Sequence, residues 1–352
     1  MNTKVLPRKK KEFSKKKKMA GNSEDPNLEG SDDSAEEEQQ MMLGEPSIGV
    51  GVEQIPPLEI PEMSLDPEAI EIDLTHRRVE KIEGLESLRC VEALCLRQNQ
   101  IKKLENIGTL TTLTEVDVYD NDITKIENLE NLVNLEILDL SYNKIRKIEN
   151  METLTNVKKL FLVQNKIPHI EKVTHFQQMT MLELGSNRIR KLQNLDALCN
   201  LDSLFVGKNK ISKIENLDKL TKLRVLSIQS NRITKLEGLD ALKNLEELYI
   251  SHNGIQTIEN LDNNLELTTL DLAGNRISRL QHIVHLIKLE EFWFNDNNLE
   301  NWRDLDQLNK ATSLATVYFE RNPIAKDPRY RSKVKMALPK VMQIDATYCQ
   351  QV

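Results

Sequence analysis

An asparagine returns every 22 residues, at Asn99, Asn121, Asn143, Asn165, Asn187, Asn209, Asn231, Asn253, Asn275 and Asn297. Each copy sits in the same setting, seen most clearly in Met181-Leu182-Glu183-Leu184-Gly185-Ser186-Asn187-Arg188-Ile189-Arg190-Lys191-Leu192, whose skeleton is L-x-L-x-x-N-x-I-x-x-L. A unit of this length carries five or so apolar positions, such as Leu182, Leu184, Ile189, Leu192 and Leu195, and has no core of its own. Its apolar side chains can leave water only by stacking on the next unit, so the chain must grow by repetition.

The period and skeleton are those of a leucine-rich repeat. The expected fold is an α/β solenoid: a curved arc of 22-residue units with a parallel sheet on the concave side, a convex side of short 3₁₀ or irregular chain, and a C-terminal cap. The recurring asparagine reads as structural, because an amide can satisfy backbone groups where the strand bends into the turn. Ile72-Asp73-Leu74 through Leu85 keeps the aliphatic spacing but has Arg77 in place of the asparagine, as expected of an atypical first repeat. In the Asn253 unit, Asn264 stands where Leu242 and Leu286 stand in others and Leu265 follows one step late, which predicts less regular convex packing. After Asn297 the next marker is Asn322. Pro323 and Pro328 then stop the ladder, and Tyr330, Val334 and Leu338 have helical spacing suited to covering the last repeat. The expected organisation is therefore a charged disordered tail over 1–67, repeats over 68–316, and a final repeat with its cap over 317–352.

Charge divides the chain unevenly. Residues 1–18 carry a net +8, residues 19–76 carry 16 acids and no Lys or Arg, and the remainder is nearly balanced, with 39 basic and 38 acidic side chains. The first 67 residues hold too little apolar surface to offset the entropy of ordering. Pro7-Arg8-Lys9-Lys10-Lys11 with Lys15 to Lys18 form a two-part basic cluster that reads as a nuclear import signal or weak polyanion contact, or as a solvated charge run. Ser34, ahead of Glu36, Glu37 and Glu38, suits an acid-directed kinase. Cys90, Cys95, Cys199 and Cys349 are scattered through a chain with no secretory leader, which is expected of a reduced nuclear or cytoplasmic compartment. No apolar run is long enough to span a membrane.

Strand geometry selects the face that can bind. The two leucines before each asparagine point inward, so the residue between them points to the concave side. Unit by unit that column reads Cys95, Asp117, Asp139, Phe161, Glu183, Phe205, Ser227, Tyr249, Asp271, Trp293 and Tyr318, with Asp120 and Glu291 flanking it. Five large aromatics and four acids in eleven places are more than a water-facing sheet needs, although neighbouring rings covering one another is the plainer account. Trp293 lies in this column, whereas Trp302 falls at a core position. Phe161, Glu183 and Phe205 would form a strip roughly 10 Å long. An acidic, aromatic groove suits a partner with a basic, folded surface and disfavours nucleic acid, for which only the first 18 residues are suited. A phosphate loop, a nucleophile motif and metal-ligand spacing are all missing, and His282 and His285 read as an exposed outer pair. No enzyme activity and no cofactor are expected.

The strict period, the stretch Glu291-Phe292-Trp293-Phe294-Asn295-Asp296-Asn297 and the cap Tyr318-Phe319-Glu320-Arg321-Asn322-Pro323 resemble the nuclear leucine-rich-repeat regulators of the type-1 serine/threonine protein phosphatase, over about residues 70–350. The resemblance implies a non-catalytic subunit that holds the phosphatase catalytic subunit on its concave face and controls its activity, maturation or targeting. Carried over position by position, the implied contacts are Asp139, Phe161, Glu183, Phe205, Asp271, Glu291, Trp293 and Tyr318. It also implies a ternary complex with a small disordered phosphatase inhibitor. The other reading is a general leucine-rich-repeat adaptor using the same face for a different assembly.

Overall fold

The computed structural model describes residues 65–349, and in them the repeats build one fourteen-stranded sheet in strict sequence order. Thirteen strands are parallel; the last, Thr347–Tyr348, folds back antiparallel on Gln343–Ile344. From Glu71–Asp73 to Thr316–Tyr318 each strand has three residues, with an apolar middle residue buried and its neighbours facing out. The registers align equivalent positions, as Leu182 opposite Leu160 and Leu204. Seven apolar positions per unit are buried rather than five: Leu182, Leu184, Ile189, Leu192, Leu195, Leu198 and Leu201 are all at 0% exposure. Each contributes about 1.5–3 kcal/mol through burial, and none could be buried by a unit alone. The convex side consists of tight turns in which an amide donates three residues back, as Leu198 N to Leu195 O and Leu201 N to Leu198 O (both 2.9 Å).

The 22-residue asparagines form a continuous ladder. Asn187 Nδ2 donates to the carbonyls of Leu162 (2.8 Å), Leu184 (3.1 Å) and Gly185 (3.2 Å), and its Oδ1 accepts from Ile167 N (3.0 Å). One amide thus ties together backbone groups of two consecutive units and supplies the acceptor for the buried Ile167 amide. The pattern begins with Asn99, which accepts from the amides of Arg77 and Val79 in the atypical first unit, and runs to Asn322, which accepts from Leu299 N.

A second ladder went unread in the sequence. Seven residues after the first marker come Asn106, Asn128, Asn150, Asn194, Asn216 and Asn260, each with φ near 60°. Each donates Nδ2 to a carbonyl of the preceding unit, among them Asn150 to Ile126 O and Asn194 to Ile170 O. Asparagine tolerates the left-handed backbone and brings an amide to the turn, so it serves twice. Gly238 takes this place where a Cβ would lie 2.5 Å from Ile214 O, leaving no room for any side chain.

Three sequence expectations need correction. Asn264 does not loosen its unit: it is wholly buried, its N donates to Leu261 O as in neighbouring turns, and Nδ2 donates to Leu239 O and Leu242 O. The amide occupies the leucine's place, and Leu265 simply lies outside at 49% exposure. Trp302 packs against the core as expected but is only half-buried; it starts the 3₁₀ turn Trp302–Leu308, and its ring lies 6.4 Å from that of Tyr330 under the Lys333 ammonium. His282 and His285 are not an exposed pair, because His285 is half-buried with Nε2 3.0 Å from Leu261 O.

The end of the sheet is closed by the helix Tyr330–Ala337, which buries Tyr330 and Val334. Asp345 ends the asparagine ladder with a carboxylate, accepting from Phe319 N (2.9 Å), Glu320 N (3.0 Å) and the Tyr330 hydroxyl (2.9 Å). That shared acceptor ties the cap helix to the final full strand. Residues 1–18 and Ser34 lie outside the described residues.

Candidate protein-binding face

Strand register turns the column between the leucines into one unbroken row. Asp117 lies opposite Asp139, then Phe161, Glu183, Phe205, Ser227, Tyr249, Asp271, Trp293 and Tyr318 follow, each paired to the next. Seven of the eight candidate residues are in this row, and Glu291 is exposed at its edge, two residues before Trp293 on the same strand.

The row is half-buried rather than fully open. Trp293 is the most exposed of its rings, at 36%, and stacks on Tyr318 with centroids 4.8 Å apart. Gln343 Nε2 donates to the Tyr318 hydroxyl and fixes this pair from the cap side. Here rings do cover one another. Phe161 and Phe205, by contrast, are separated by the Glu183 carboxylate and make no ring contact with each other. The next outward position is glycine in both units: Gly185 beside Glu183 is half-buried, whereas Gly207 beside Phe205 is buried against the Gln229 side chain, which a Cβ there would meet at 3.1 Å.

The acids are held in a poorly hydrated setting. Burial pushes the Asp139 carboxyl above the ordinary range, against the opposing pull of hydrogen bonds from Ser141. Burial raises Glu183 too, with a smaller push from the charge of Asp139. Asp271 is 8% exposed and is likewise raised by burial, although Ala273 N donates to it. Burial and the neighbouring Glu247, whose carboxylate accepts from the Tyr249 hydroxyl, raise Tyr249. Carboxylates that lack full hydration gain most when a partner supplies a cation.

One cluster was missed. Arg97 Nη1 meets Asp117 Oδ2 at 2.7 Å and Asp139 Oδ2 at 4.0 Å, and its guanidinium lies 4.2 Å from the centre of the Tyr119 ring. Tyr119 in turn contacts Tyr142 at 4.8 Å. The positions two before and one before each asparagine carry this signal, and reading only the column between the leucines passed over it.

Among the described residues no group of three or more His, Cys, Asp or Glu side chains could hold a metal ion, and no helix is long and apolar enough to cross a membrane.

The family description "Leucine Rich repeats (2 copies)" matches residues 111–153 and 221–263. Similar curated proteins include protein phosphatase 1 regulatory subunit 7 of Xenopus tropicalis, 55% identical over 59 residues and 17% of each chain, and that of Mus musculus, 67% identical over 42 residues and 12% of each. The Homo sapiens protein is 64% identical over 42 residues, again 12% of each chain. The aligned stretches thus span less than a fifth of these relatives. Among solved structures, an internalin from Listeria monocytogenes superposes with a TM-score of 0.69 at 25% identity, over 80% of this chain and 87% of its own. A leucine-rich-repeat protein of Leptospira interrogans gives 0.61 at 21% identity, over 78% and 83%, and shows the fold alone. The chain is a leucine-rich-repeat solenoid whose sequence is similar, over those short stretches, to protein phosphatase 1 regulatory subunit 7.

Proposed function

We propose that this chain is a non-catalytic regulator that holds the catalytic subunit of a type-1 serine/threonine protein phosphatase on its sheet face. The observation that carries the reading is the unbroken row from Asp139 to Tyr318, where poorly hydrated carboxylates are interspersed with aromatic rings. The name of the similar frog, mouse and human proteins supports the choice of partner. Phe205 and Trp293 serve as apolar anchors, while Asp139, Glu183, Asp271 and Glu291 meet Lys or Arg of the partner. The regulator contributes no reacting group; it alters the availability, maturation or substrate choice of the enzyme it holds. A small disordered phosphatase inhibitor joins as a third component, and the complex operates in the nucleus and also in the cytoplasm.

The test is affinity capture from cell extract with the full chain and with Glu183→Ala/Trp293→Ala, read by mass spectrometry. Recovery of the type-1 catalytic subunit by the parent and its loss from the variant supports the reading. Equal recovery by both moves the site off this row, and a folded parent that recovers other proteins instead makes the chain a general adaptor.

A further inference from the structure

The Arg97–Tyr119–Tyr142 cluster ends on an exposed ring. Arg97 and Tyr119 are equivalent residues two before the asparagine in successive units, and Tyr142 follows one place later in the third. The guanidinium lies over Tyr119 at 4.2 Å, and the Tyr119 and Tyr142 rings meet tilted at 46° with centroids 4.8 Å apart. Tyr142 is 44% exposed, and no further ring or cation packs on it among the described residues. Asp117 and Asp139 stand beside the stack, the former 2.7 Å from Arg97 and the latter raised by burial.

A guanidinium is flat and weakly hydrated, so it stacks on an aromatic face better than an ammonium does. Arg97 shows that this corner of the sheet accepts such a group, with a ring beneath it and carboxylates at its edge. We infer that the open face of Tyr142 is a docking position for an arginine side chain of a protein partner, repeating on the outer ring what Arg97 does on the inner one. The inference rests on the reading that this sheet face binds protein, and is independent of which protein it binds. Val163 and Gln164 follow in the next unit, and neither carries a charge that would repel the incoming cation.

The experiment uses the full chain and three nonapeptides, of arginine, lysine and citrulline, titrated at fixed ionic strength by fluorescence anisotropy. The expected result is arginine binding at least about fivefold tighter than lysine of equal charge, with citrulline weaker than both. That arginine preference should vanish in Tyr142→Ala and persist in Tyr142→Phe. The backbone at Tyr142 is left-handed (φ 54°), so Tyr142→Asn, which suits that conformation, repeats the loss without strain. Equal affinity for arginine and lysine, or a preference untouched by Tyr142→Ala and Tyr142→Asn, overturns the inference. These peptides do not report on Trp293, so failure here and failure of the phosphatase reading are separate results.

Discussion

Asn187 makes four hydrogen bonds with backbone groups of two units, and its side chain is almost wholly buried. Asn187→Ala removes the acceptor of the Ile167 amide, at about 1–3 kcal/mol for a group left unsatisfied, while the Leu162 carbonyl keeps Asn165 Nδ2 at 3.3 Å. The expected outcome is a fall of about 1–3 kcal/mol in urea-unfolding stability. The row acids behave differently. Asp139, Glu183 and Asp271 hold their protons more tightly in the fold than in the open chain, so their contribution to stability grows as pH falls through the raised range and becomes a cost above it. A cationic partner needs them ionised. Affinity should therefore fall on acidification from pH ~7, beginning above the ordinary carboxylate value of ~4. Glu183→Gln should weaken binding at neutral pH and flatten that dependence; an unchanged slope in the variant would remove Glu183 from the contact.

At the scale of the element, the strand phase was legible because the period is strict and the strand alternation has only two faces. The inward leucines and the asparagine ladder followed from that, and the helical spacing of Tyr330 and Val334 after Pro323 and Pro328 marked the cap helix, which ends at Ala337 just before Leu338. The turns were less legible. Leu198 and Leu201 lie on a convex side with no simple alternation, and the left-handed Asn194 shows itself only when the turn's missing hydrogen-bond partners are counted. Asn264 misled because a polar residue at an apolar position suggests looseness, yet it keeps the leucine's place at the cost of a buried Oδ1 with no partner. The carbonyls of Leu239 and Leu242 already accept from Leu242 N and Leu245 N, so neither is orphaned without it. Asn264→Leu should then raise stability by about 1–2 kcal/mol, seen as a higher urea midpoint with unchanged slope. At the other end Asp345 joins strand, turn and helix through one carboxylate. Asp345→Ala should release the cap, giving fast amide exchange over 330–349 while exchange around Asn187 stays slow.

For the whole molecule, neighbouring units share the 22-residue asparagine ladder and the rungs of the sheet, so the strands that carry the row from Asp139 to Tyr318 are held in register by the backbone. A rigid row of this kind presents its acids and rings without further ordering, which favours a partner of matching charge and shape. Arg97, Tyr119 and Tyr142 extend that surface toward the first repeats. The most direct test of the central claim is calorimetric titration of purified type-1 phosphatase catalytic subunit into the full chain and into Trp293→Ala. Loss of an anchor of about 2 kcal/mol corresponds to a roughly thirtyfold weaker affinity in the variant, with an unchanged unfolding midpoint. Equal affinities for the two chains, or no binding by the parent, would contradict the account.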